Sequence, residues 1–159
     1  MKVAELQNRF VAELKRLLPE WQFVKSHRAF KRRYEDVTWR LHISCINHES
    51  DFDAVGDVAV EYKTGSESVC VFGAELGNIE GSGQARFRVS STSEALKSAH
   101  QLYSFFDEIG LPYLAKYSKP TEVVSALRKG GKDAMRVSPL ISQHETHIRK
   151  LCEKYGINL

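Results

Sequence analysis

The densest run of chemically capable side chains lies between residues 23 and 42. Lys25, His27, Arg28, Lys31, Arg32 and Arg33 sit there among Phe23, Phe30 and Tyr34, with Arg40 and His42 following. Cationic groups hold phosphate or carboxylate oxygens while exposed rings stack on unpaired bases, so this mixture suits an anionic ligand or single-stranded nucleic acid. On an antiparallel hairpin, Arg28, Arg32 and Arg40 are expected to share the solvent face. The plain alternative is a wet sheet face whose Arg and Lys stems cover apolar atoms and deter edge pairing. The ligand-binding candidates are therefore Arg28, Lys31, Arg32, Arg33, Arg40 and His42.

Other constellations carry less. The stretch NHESDFDAVGD holds Glu49, Asp51, Asp53 and Asp57, carboxylates spaced somewhat like a calcium loop. The glutamate such a loop needs at its twelfth position is Tyr62 here, so a polar loop between strands is the reading. His144 and His147 are three apart on a helical segment but lack a third spaced ligand, and no metal or other cofactor is called for. Cys45 and Cys70 fall in apolar strands, where a thiol is inert core. The glycine-rich GNIEGSG (77–83) has neither the lysine nor the following helix of a phosphate loop, and reads as a hairpin loop. An acid–base pair remains a third option, with His42 or His48 beside Asp51 or Asp53.

These residues need elements to hold them. Val3, Leu6, Phe10, Leu14 and Leu17 recur at helical spacing, and Pro19 ends that helix. From Trp21 to about Ser90 the period becomes two: Trp39, Leu41, Ile43 and Cys45 alternate with Thr38, Arg40, His42 and Ser44. Glu35-Asp36 and Thr64-Gly65-Ser66 read as turns. Connections this short require antiparallel hairpins, because a parallel crossover needs about a dozen residues. Ser91 and Glu94 form a capping box ahead of Ala95, Leu96, Ala99, Leu102, Tyr103, Phe106 and Ile109. Gly110-Leu111-Pro112 reads as the stop of that helix. A short helix is expected from about Pro120 to Leu127, a flexible linker over 129–137, and a last helix from Ser138-Pro139. The expected fold is α+β: an N-terminal helix, an antiparallel meander of about four to five strands, then three C-terminal helices on one face of the sheet.

Length sets one domain over 1–159. A hydrophobic share of 42% with 27% charged residues supplies a core and excludes a disordered chain. No stretch has the apolar length of a membrane span, and charges interrupt the N-terminal segment too often for a secretory signal. Three widely spaced cysteines suit a reducing, cytoplasmic setting. Residues 22–47 carry six basic and two acidic groups, whereas 48–80 carry one and eight. Neighbouring strands of opposite charge can complement each other across a sheet.

The helix ending near WQF, the strand segment RAFKRRYEDVTWRLHISCIN and the block LYSFFDEIGLPYLAKYSKPTEVVSAL resemble a family of small bacterial α+β domains with no assigned activity. Phe30, Trp39 and Leu111-Pro112 carry the likeness. The resemblance implies a scaffold and supplies no catalytic residues. Taken together, the expectation is a non-enzymatic binding or accessory domain with a protein partner. Nucleic-acid or anionic-ligand binding is the alternative, and dimerisation through an exposed edge strand is open.

Overall fold

Helix α1 (Val3–Leu17) buries Leu6, Phe10 and Leu14, one residue per turn. It leads into a sheet ordered β1-β2-β3-β4-β5, every neighbour antiparallel: β1 (Gln22–Val24), β2 (Ala29–Tyr34), β3 (Val37–Asn47), β4 (Phe52–Lys63) and β5 (Val69–Glu75). The computed structural model describes residues 2–66 and 68–158. Among the described residues no helix is long and apolar enough to cross a membrane.

Period-two alternation sets the register. In β3, Val37, Trp39, Leu41 and Ile43 are buried, while the residues between them are only partly covered. Glu35-Asp36 closes the β2–β3 hairpin with Glu35 in the left-handed region, φ 52°. Strand β4 contributes Phe52, Ala54, Val58, Val60 and Tyr62 to the same buried side.

The helices meet that side. Phe10 of α1 packs edge-on to Phe52 at 5.8 Å, and Glu13 ties α1 to α3 (Thr92–Phe105) through His100 Nε2 at 2.8 Å. Ser91 Oγ accepts from the Glu94 amide, forming the cap that the sequence indicates. The C-terminal helix α7 (His144–Tyr155) sets Tyr155 against Tyr62 and His147 against Phe72. Two hydrogen bonds fasten strands to helix α4 (Leu111–Tyr117): the Trp39 indole N–H donates to Ser118 Oγ at 2.7 Å, and the Tyr62 hydroxyl donates to the Tyr117 carbonyl.

Several expectations need correction. The strands number six rather than four or five, and the alternating Phe87–Val89, β6, does not extend the meander but pairs with Phe52–Ala54 of β4, the stretch that β5 leaves free. Strands β5 and β6 are thus one interrupted edge. GNIEGSG is not a hairpin loop, because Leu76–Glu80 is a short helix, α2. Glu75 holds this excursion: buried to 7% exposure, it accepts from the amides of Gly77, Asn78 and Ala85 at 2.8–2.9 Å. Gly110 does not stop a helix. Its φ is −73°, and the chain runs from α3 through a π turn, Phe106–Gly110, into α4. The C-terminal part has more helices than three. Helix α5 (Pro120–Lys129) ends at Gly130, and the supposed linker is α6 (Gly131–Val137). Ser138 caps the end of α6 in extended backbone, so α7 begins only at His144.

Candidate functional site on the polar face of the sheet

The side of the sheet away from the core is crossed by rows of paired residues. One row runs Ala29, His42, Asp57 and Glu75; the next runs Lys31, Arg40, Ala59 and Gly73. A third runs Arg33, Thr38, Glu61 and Val71. Alanine at positions 29 and 59 leaves a concavity of about 440 Å³ walled by His27, Lys31, Arg40, His42 and Asp57. Past Asp57 the surface dips again into a hollow of about 640 Å³ beside Glu75, Asn78, Lys132 and Arg136. Asp57 borders both.

Most charges here are already matched. Arg40 Nη1 lies 3.0 Å from Glu61 Oε1, while its Nε is shielded from solvent with no acceptor. Asp57 Oδ2 is 3.8 Å from His42 Nδ1. Partial burial pushes the Asp57 carboxyl above its ordinary value; His42 pulls it down, and the Glu75 carboxylate pushes it up. Lys31 has no ion-pair partner among the described residues.

The geometry bears on acid–base chemistry. Ser44 Oγ lies 3.4 Å from the same His42 nitrogen that faces Asp57. A serine–histidine–carboxylate relay needs the two partners on different ring nitrogens, so this trio is not one. His48 Nε2 and Asp53 Oδ2 do meet, at 3.1 Å, with Arg86 Nη1 3.7 Å from the same oxygen. Asp51 is clasped by Arg88 at 2.8 and 3.1 Å. These carboxylates are ion-paired to arginine, which suits a structural tie more than proton transfer.

The six candidates do not form one patch. Lys31, Arg33, Arg40 and His42 lie on the polar face. Arg28 does not share it: in a left-handed turn residue, φ 45°, its Nη2 reaches back to Gln7 Oε1 of α1 at 2.9 Å. Arg32 pairs with Trp39 in register, points to the core side, and meets Glu20 at 3.0 Å. Alternation from Lys31 separates Arg32 from Arg40. Asp53 and Asp57 belong to β4, so the acidic stretch is mostly strand and only 48–51 form the connection.

His144 and His147 are partly buried, and of the thiols Cys70 and Cys152 are buried. His144 Nε2 contacts the Ser138 carbonyl at 2.6 Å, and burial lowers the His147 pKa against the Phe72 ring. Burial pushes the half-buried Cys45 thiol up, with Arg28 drawing it partly back. Among the described residues no three His, Cys, Asp or Glu side chains group for a metal. Comparison with protein-family models, with curated proteins and with solved structures found no match.

Proposed function

We propose that the protein is a non-enzymatic binding domain that docks a protein partner on the polar face of its sheet. The observation that carries this reading is the mixing of charge there: Lys31, Arg33 and Arg40 lie among Asp57 and Glu61 on the rows at and beside an alanine-floored concavity. A polyanion is attracted by surplus positive charge, whereas a mixed pattern gives register and selectivity to a protein partner. Exposed Val69 (54%) and Val71 (40%) on the adjoining edge strand add apolar area. The unpaired Lys31 favours an acidic side chain of the partner as the group that enters the concavity. A reducing, cytoplasmic setting belongs to this reading, supported by three free cysteines.

A photo-crosslinking residue at Thr38 or Ser44 on the polar face, compared with Arg9 or Lys97 on the helices, tests it in the producing cell. Expected is one discrete protein adduct from the sheet positions that disappears when Ala59→Arg fills the concavity. Adducts equally strong from the helix positions, or none from the sheet, would overturn the proposal.

A further inference from the structure

We infer that the aromatic groove beside the π turn binds a cationic group carried on an apolar body, an arylalkyl- or alkylammonium ligand. It lies on the core side of the sheet, independent of the polar face. Its volume is about 390 Å³, and Leu18, Trp21, Tyr103, Phe106 and Leu111 supply its walls. That is room for one small ligand. The rings are held in place before any ligand arrives: Trp21 is stacked on Trp39 at 6.3 Å and stands edge to face with Phe106 at 5.4 Å. The Tyr103 hydroxyl makes no hydrogen bond within the described residues.

Charge decides the class of ligand. Three charged groups border the groove: Glu20, Arg32 and Asp107. Arg32 and Glu20 are paired at 3.0 Å and cancel. Asp107 is exposed and has no ion-pair partner among the described residues, so the surplus is one negative charge. Aromatic faces are themselves electron-rich and attract ammonium groups, more strongly where water is excluded. An anion at Arg32 would share it with the Glu20 carboxylate and would still meet Asp107. The wide turn is an independent sign: it sets Phe106 into the core at 1% exposure and its neighbour Asp107 on the rim, and such turns recur at functional sites.

The test compares two probes of like shape and opposite charge, phenethylammonium and 3-phenylpropionate, titrated into the ¹⁵N-labelled full chain. The readout is the indole N–H signal of Trp21, distinguished from that of Trp39, which donates internally to Ser118. Phenethylammonium is expected to shift the Trp21 signal with a dissociation constant on the order of 1 mM. Asp107→Asn, a surface change that leaves packing intact, is expected to weaken that binding about three- to five-fold. Stronger binding of phenylpropionate, no Trp21 shift with either probe, or a response unchanged in Asp107→Asn would overturn the inference.

Discussion

At Asp57, partial burial and the nearby Glu75 carboxylate both oppose ionisation, and His42 offsets part of the cost. A carboxyl whose folded-state pKa is raised burdens the fold above that pKa, and the burden fades as pH falls toward the ordinary carboxylate value. Asp57→Asn is therefore expected to raise the thermal midpoint at pH 7 by about 1–2 °C, the scale of a surface change of about 0.5 kcal/mol. The gain should shrink to nothing near pH 4 in calorimetric scans of both proteins. A lower midpoint at pH 7 would show that the His42 contact outweighs the burial. Little of this was legible beforehand. Asp57 stood out only as one acid among four, because its meeting with His42 depends on a register set by turn lengths. Glu75 gave no signal beyond standing two residues before Gly77, and Arg28 and Arg32 were misplaced by a turn and by strict alternation.

Elements were readable where a periodic pattern ran long enough to name its own geometry. Helix α1, strand β3 and the capped start of α3 follow from spacing alone, whereas the first half of β4, residues 52–57, reads as part of an acidic loop. The boundary at Gly110 misled because glycine serves two purposes, a left-handed backbone or a close approach, and sequence does not separate them. Here close approach is the reason: a Cβ on Gly110 would lie 2.8 Å from Phe106 Cδ2 and 3.0 Å from Leu76 Cδ2. Both side chains are fully buried and cannot swing away. Gly110→Ala should then cost about 1–3 kcal/mol by overpacking. Gly110→Asn should cost more, since it adds more volume to the same gap. At a helix-stopping glycine the order would reverse, because asparagine tolerates the left-handed region better than alanine does. Urea unfolding of the two variants reads the order directly. Gly131–Val137 misled in the opposite sense: glycines with φ of 70° and 72° at 130 and 131 mark a sharp turn between α5 and α6. Two adjacent glycines look the same in sequence whether they loosen a chain or bend it.

For the molecule as a whole, segregation of charge along the chain turns into mixing in space. The basic run at 22–47 and the acidic run at 48–80 meet on the adjacent strands β3 and β4, where Arg40 pairs with Glu61 and Asp57 lies beside His42. Two further cations of the basic run are spent elsewhere, Arg28 on Gln7 and Arg32 on Glu20. Phosphate binding draws its strength from releasing counterions, roughly one per contact, and that needs several uncompensated cations on one surface. With Arg40 held by Glu61 and, among the described residues, only Lys31 and Arg33 left without an ion pair on that face, the protein should give no change in fluorescence polarisation with single-stranded or duplex oligonucleotides at micromolar concentration, even near 50 mM salt. Binding that fell steeply with salt, at a slope of several phosphates, would mean that Arg40 abandons Glu61 for nucleic acid. The same balance makes a protein surface the better match: Arg33 and Glu61 share a row about two strand spacings, or roughly 10 Å, apart, and the row of Lys31 and Arg40 lies beside that of Asp57.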